Sequence, residues 1–484
     1  MTDTTAPAAR PHPPSVERVL AAARAGAGER DGDAALAVAR EVVDVERARL
    51  TAGEAPRDVA ALGAAVVTML EAFDGPVGAG TAVTGTAVTA TAATGPTPVI
   101  NATGVIVHTN LGRAAWPRAA VEAARLAAES SILLEMDRAT GRRGPRYRAA
   151  EDHLVALTGA EDALVVTNNA AAIALAVGLA GRGGGVAVSR GELVEIGGGV
   201  RIPEILRRAG VRLVEVGTTN RTRVDDFEAA LADPKARVRA VLRVHPSNFV
   251  QSGFVEAPAS AELAAVAHRH GAIVLDDLGS GALIATERVG LAHEPTPRER
   301  LADGADLVTF SGDKLVGGPQ AGLIVGRRDL IARLRKDPLA RAMRPDKTIL
   351  AAVAATLAVY RAGRAATDIP VWRMLTTPTE ELRRRAREVV AALPDGSAAV
   401  VELDATVGGG SVPGETMPSA GVALAGATGR DAMDLLGHLR AGDPCVIARI
   451  ERGLVVLDLR TVAPEEDVAL ASAMRRALDA ASGR

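Results

Sequence analysis

Cysteine is almost absent. The 484 residues hold a single one, Cys445, so no disulfide can form within the chain and a reducing cytoplasm is the expected compartment. Aromatic residues make up 2% of the chain, which leaves Ala, Val, Leu and Ile to build the core. No uncharged apolar run reaches the roughly 20 residues of a membrane helix. The Pro-, Ala- and Thr-rich start, residues 1–14, has no apolar signal core, so no membrane association is expected. Excess charge is lacking too: the net charge is −2, and the molecule as a whole is no obvious binder of polyanions. There is no internal repeat, and no metal is expected.

What remains is an ordinary globular composition, 48% hydrophobic and 24% charged, long enough for two or three domains at roughly 100–200 residues each. Residues 1–14 read as a disordered tail. From 15 to 74 the period is helical: Val16, Val19, Leu20 and Ala23 share a face, as do Leu36, Val38, Val42 and Val45, then Val59, Leu62, Val66, Met69 and Leu70. A bundle of about three helices follows from this. It is mildly acidic, with 7 arginines, no lysine and 11 acidic residues. Residues 75–97 are uncharged and rich in Thr, Ala and Gly, the composition of a flexible linker.

From 98 onward short apolar runs alternate with helical patterns. The runs are 163–166, 186–189, 211–216, 240–244, 272–275, 307–310 and 323–325; the helices include 118–128, 170–181, 202–209, 224–232 and 260–270. Such alternation predicts βαβ units and a mainly parallel sheet covered by helices, an α/β large domain over 98–365. Residues 366–484 mix helices (380–393, 432–441, 464–481) with short strands (398–403, 445–450, 453–458) and read as a smaller α/β domain.

Three strand ends carry candidate chemistry. The stretch 310–322 (FSGDKLVGGPQAG) sets one lysine, Lys314, in a loop of Gly, Ser and Pro; a lysine desolvated in such a place can lose its proton and attack a carbonyl, the Schiff-base chemistry of pyridoxal phosphate enzymes. The stretch 167–172 (TNNAAA) follows a strand and opens a helix, where Asn168, Asn169 and Ala170 offer small side chains and free N–H groups to a phosphate; Asn is equally a common helix cap. The stretch 273–281 (IVLDDLGSG) puts Asp276 and Asp277 at a strand end, and one of the two can keep a pyridine nitrogen protonated. Ser311 lies within reach of the same phosphate. The order of phosphate loop, Asp and Lys matches the aspartate-aminotransferase-like (fold-type I) large domain. His108 and His245, also at strand ends, are placed to stack on a cofactor ring, to touch substrate, or simply to pack. Arginines cluster at 138–148 and 333–344, where bidentate guanidinium forks suit an anionic substrate or an RNA backbone.

Longer blocks narrow the reading. Residues 98–113 (PVINATGVIVHTNLGR), 189–203 (SRGELVEIGGGVRIP), 216–221 (VGTTNR), 244–249 (VHPSNF), 310–322 and, more loosely, 408–414 (GGGSVPG) resemble bacterial selenocysteine synthase, the L-seryl-tRNA(Sec) selenium transferase family. The resemblance implies a cytoplasmic enzyme with pyridoxal 5′-phosphate. It would convert L-seryl-tRNA(Sec) to L-selenocysteinyl-tRNA(Sec) by β-replacement with selenophosphate, through an aminoacrylyl intermediate. By position it implies Lys314 as the cofactor lysine and Asp313 as a catalytic neighbour. Asn168, Asn169, Ala170 and Ser311 then lie at the phosphate, and Asp277 at the ring nitrogen ahead of Asp276. Arg113, Arg341 and Arg344 would bind the selenium donor, with Thr218 and Thr219 in an active-site loop. It also implies a homo-oligomer, a decameric ring of dimers, whose N-terminal helical domain grips tRNA(Sec). In this acidic bundle that contact would fall to a few arginines such as Arg18, Arg47 or Arg49. The alternative is a related pyridoxal phosphate lyase or transferase acting on a small amino acid or sugar acid without tRNA.

Overall fold

A computed structural model describes residues 12–24, 26, 32–72, 96–144, 146–246, 248–425 and 430–481. All but the last two residues of the expected linker at 75–97, and residues 1–11 of the expected tail, lie outside them. The chain forms two compact units, 1–99 and 100–484.

Among the described residues of the first unit are three helices: α1 (Val16–Ala23), α2 (Gly32–Thr51) and α3 (Val59–Ala72). Val19, Val38, Val42, Leu62 and Val66, all on the expected faces, are buried together with Ala39. Beside this apolar core Glu46 is wholly buried and receives Arg49 at 2.9 Å and Arg57 at 2.7 Å. Arg57 also donates its backbone N–H to Glu46 at 2.8 Å. A buried carboxylate is tolerable only when paired and hydrogen-bonded in this way. The pairing has a consequence for the arginines expected at RNA: Arg49 is committed to Glu46 and Glu54 and is only 12% exposed, Arg47 is bonded to Asp44, and Arg18 stands exposed.

The second unit is built on a seven-stranded sheet. Its strands are β1 (Asp162–Val166), β2 (Gly185–Ser189), β3 (Arg212–Val216), β4 (Val238–Val244), β5 (Ile273–Gly279), β6 (Leu307–Ser311) and β7 (Gly322–Gly326), in the order β1-β7-β6-β5-β4-β2-β3. Every pairing is parallel except the two made by β7, which runs antiparallel to β1 and β6. Val308, Phe310, Leu323 and Val325 go to one face of the sheet, Leu307 and Ile324 to the other, and all six are buried. Helices therefore cover both faces, which is why the strands read as continuous apolar runs.

The C-terminal part adds an antiparallel sheet of four strands, β8 (Ala398–Thr406), β9 (Thr416–Leu424), β10 (Arg449–Glu451) and β11 (Leu454–Asp458), ordered β10-β11-β9-β8. Helices Thr379–Ala391, Arg430–Ala441 and Asp467–Ala481 pack Leu382, Leu435 and Leu470 against its Val422 and Leu457. Backbone bonds from Ala102 to Ile447 and from Asp458 to Ala102 tie residues after the strand Val99–Asn101 into this part. Strand β9 is absent from the sequence expectation, because Pro418 and Gly421 interrupt its pattern. Both fit: Pro418 lies where β9 has β8 alone as its neighbour, and a Cβ on Gly421 would fall 2.1 Å from the Leu457 carbonyl oxygen.

Candidate active site

The carboxyl ends of β1, β5 and β6 converge, as open α/β sheets place their ligand sites. Strand β5 runs on through both acidic residues, and alternation along a strand sends them to opposite faces. Asp276 meets Arg300 at 3.5 Å and lies in the field of Arg243. Asp277 instead accepts from Asn169 Nδ2 at 2.8 Å and Thr309 Oγ1 at 2.9 Å, both on Oδ1. Only 4% of each residue is exposed. Burial raises the pKa of Asp277, against the lowering pull of its two donors and the Lys314 ammonium. Asp277 thus lies in the field of Lys314, and Asp276 beside Arg300.

Lys314 sits three residues beyond β6. Burial pushes its amine pKa down; Asp277 and, more weakly, Asp313 and Glu294 oppose this, while Arg113 adds to it. The loop around it is tightly held. Leu315 N–H donates to Ser280 O at 3.0 Å, and the Leu315 carbonyl accepts from both Trp372 Nε1 at 2.8 Å and Tyr360 Oη at 3.0 Å. Two of the chain's few aromatics thus spend their polar tips on fixing the backbone next to the lysine. Gly312 is required here, since a Cβ would fall 2.5 Å from the Pro319 carbonyl oxygen.

At the end of β1, Asn168 caps helix α4 (Asn169–Gly178), its side chain accepting from Ala171 N–H at 2.9 Å. The N–H groups of Asn169 and Ala170 have no intrahelical acceptor and belong to the positive end of the helix dipole. Ser311, 7% exposed, ends β6 opposite Gly322. Gly322 lets the phosphate-loop candidate approach: a Cβ there would fall 2.1 Å from the Asn168 carbonyl oxygen. Gly322→Ala is therefore expected to cost about 1–3 kcal/mol of stability through overpacking and to weaken ligand binding at α4. Thermal unfolding with and without cofactor would show both losses.

A cavity of about 490 Å³ opens beside the lysine, lined by Lys314, Arg113, Thr109, Asn248 and the loop Gly408–Thr416. Arg113 Nη1 binds Asp313 Oδ2 at 2.6 Å, so the residue expected beside the lysine and one of the arginines expected at the donor are held together. The other expected residues lie elsewhere. Arg341 is exposed on the helix Pro338–Ala342 and Arg344 pairs with Glu135 at 3.2 Å; neither is among the residues lining this cavity. Thr218 bonds the Arg221 carbonyl within its own turn, and Thr219 lines an adjoining chamber. The wall formed by 408–414 is a contributor that local pattern did not flag as a site. Gly408, Gly409 and Gly410 all have positive φ, and a Cβ on Gly408 would fall 2.4 Å from the Val105 side chain. The run of three glycines was the available signal.

A family model for L-seryl-tRNA selenium transferase (SelA) matches residues 99–463. The chain belongs to the L-seryl-tRNA selenium transferase family. Curated members similar to it include the L-seryl-tRNA(Sec) selenium transferase of Rhizobium meliloti (strain 1021), 48% identical over 76% of this chain and 80% of the relative. That of Moorella thermoacetica is 48% identical over 79% of this chain and 82% of the relative. Among solved structures, a D-glucosaminate-6-phosphate ammonia-lyase superposes with a TM-score of 0.57 at 24% identity, over 79% of this chain and 96% of that one. That likeness is one of fold, and it bears out the expected α/β architecture. The selenium transferase family match includes all three strand ends and the 408–414 wall.

Proposed function

We propose that this enzyme converts L-seryl-tRNA(Sec) to L-selenocysteinyl-tRNA(Sec), with pyridoxal 5′-phosphate as cofactor and selenophosphate as selenium donor. The observation that carries the reading is the half-buried Lys314 amine in the field of the buried Asp277 carboxylate, in a chain of this family.

The residues present fit the cofactor. Asn169, which donates to Asp277, has its Oδ1 buried without a hydrogen-bond partner, as does Ser280 its Oγ, as expected of groups waiting for a ligand. A ring nitrogen has Asp277, and a phosphate has the start of α4 with Ser311. When bound, the cofactor supplies a carbonyl for amines and an electron sink for the bond to Cα. Lys314 holds it and, as a neutral amine, takes the proton from Cα of the seryl group. Asp277 keeps the ring nitrogen charged. Arg113 faces the cavity where the donor's anionic group would sit, and its bond to Asp313 orients it. Arg341 and Arg344 serve the same anion only if a second copy brings them to this cavity, which accords with an oligomeric ring of shared sites. Among the described residues no helix is long and apolar enough to cross a membrane, and we place the reaction in the cytoplasm. For tRNA contact through the first unit, Arg18 is better placed than the committed Arg49.

The small-substrate alternative has a structural counterpart in the ammonia-lyase at 24% identity, whereas relatives at 48% are selenium transferases. The deciding experiment is selenium transfer from selenophosphate to seryl-tRNA(Sec), with and without pyridoxal phosphate and against bulk seryl-tRNA. Transfer that needs the cofactor and prefers tRNA(Sec) is expected. Turnover of free serine at an equal rate would overturn the reading.

A further inference from the structure

Behind the lysine cavity lies a second chamber of about 410 Å³, sharing Val412, Pro413 and Glu415 with it. Two of its lining residues, His245 and Glu294, form a pair that the mechanism above does not use. Glu294 is 1% exposed. Its Oε2 stands 3.4 Å from His245 Nε2, and both His245 Nε2 and Glu294 Oε1 are buried without hydrogen-bond partners. A fold rarely leaves such atoms desolvated unless an incoming group or a function uses them.

Both residues are firmly placed. His245 follows β4, where Val244 is registered with Asp277, and His245 N–H donates to the Asp277 carbonyl at 2.9 Å. Glu294 N–H donates to Thr286 Oγ1 at 2.9 Å, and Thr286 is wholly buried. Lys314 is tied to the same strand end through the bond from Leu315 to Ser280.

We propose that Glu294 is a positioning residue for the reaction at Lys314. Its carboxylate stands beside His245, 3.4 Å from Nε2, next to the strand end that carries Asp277, and adds a further negative charge in the field of the lysine amine. The proposal rests on the cofactor-lysine reading of the site. The charged groups whose fields act on Lys314 include Asp277, Arg113, Asp313 and Glu294. Those around the pair include Asp276, Glu192, Arg243 and Arg300, with Arg243 meeting Glu192 at 3.6 Å and Arg300 meeting Asp276 at 3.5 Å, and Glu256, His293 and Glu415 line the same chamber.

A negative charge near a cationic nitrogen raises its pKa, so removing the charge lowers it. Glu294→Gln keeps the shape and removes the charge. In the cofactor-loaded enzyme the visible-spectrum titration of the lysine-bound cofactor should move to lower pH by about one unit, a tenfold change in the protonation constant. In the cofactor-free protein, the pH midpoint for labelling Lys314 with an amine-reactive reagent, read by mass spectrometry, should fall likewise. Glu294→Asp should restore part of both shifts, and His245→Gln, which keeps the Glu294 carboxylate, should lower turnover while leaving the Lys314 labelling midpoint near that of the wild type. Unchanged midpoints in Glu294→Gln, whatever happens to turnover, would overturn the proposal, as would a melting-temperature loss that Glu294→Asp rescues without moving the midpoints. A wild-type enzyme without a visible band would count against the cofactor reading alone, since the labelling arm needs no cofactor.

Discussion

Lys314→Ala is expected to abolish selenium transfer and to remove the visible absorbance of the cofactor-loaded protein. The amine has two duties, holding the cofactor and moving the Cα proton. Proton transfer by a positioned base alone is worth up to about 10⁴-fold, so the combined loss should be at least of that order. Stability should behave differently. Burial lowers the amine's pKa in the folded protein, so between that lowered value and the unfolded value of about 10.4 the unfolded chain binds more protons than the folded one. The cofactor-free wild type should therefore gain stability as pH rises through that window. The alanine variant should lack this rise and be no less stable at neutral pH. Urea unfolding at several pH values measures it, and added methylamine should return part of the lost rate by replacing the missing base. A variant that still turns over seryl-tRNA(Sec) would remove Lys314 from the chemistry.

The site was legible in the sequence to the extent that its chemistry is local. Strand, turn and helix start are each written within a few residues, so the order of Asn168, Asp277 and Lys314 at three strand ends follows from apolar runs and breakers. The strand-end aspartates show where pattern stops helping. The expected strand ends at Leu275, yet β5 continues to Gly279, because a paired, buried ladder carries polar residues that apolar periodicity counts as a turn. Contacts between distant segments were not legible. Trp372 and Tyr360 reach the Leu315 carbonyl from 57 and 45 residues away, and His245 meets Glu294 only because β4 and β5 are neighbours. Nor does one chain's sequence say which arginines share a cavity: Arg113 joins Asp313 across 200 residues, while Arg344 is drawn to Glu135. The acidic first unit illustrates the same limit. The resemblance put Arg49 among the arginines to which a tRNA contact would fall, whereas the fold pairs it with Glu46.

Asp277→Asn is expected to lower turnover by roughly 10²–10³-fold, the usual effect of removing one preorganised charge, while leaving the cofactor-free fold as stable or more so. Both donors to Asp277, Asn169 and Thr309, meet Oδ1, and an asparagine oxygen can keep them. What the amide cannot do is hold a proton on a ring nitrogen. The carboxylate's pKa is raised chiefly by burial. Its contribution to stability is therefore fully present below the unfolded value of about 3.9 and is lost as pH rises through the folded value. The uncharged variant escapes that loss, so its advantage in cofactor-free stability should grow with pH above the carboxylate range. Asp276→Asn provides the contrast: burial raises its carboxyl in the same direction and Arg300 keeps Ser260 and Asp303 as partners, so turnover should fall only as folding does. If the two variants behaved alike, with activity tracking stability in both, Asp277 would be a structural carboxylate like its neighbour. A fall in activity accompanied by a pH-dependent gain in stability would mark it as a charge the fold retains for its chemistry, at the expense of its own stability.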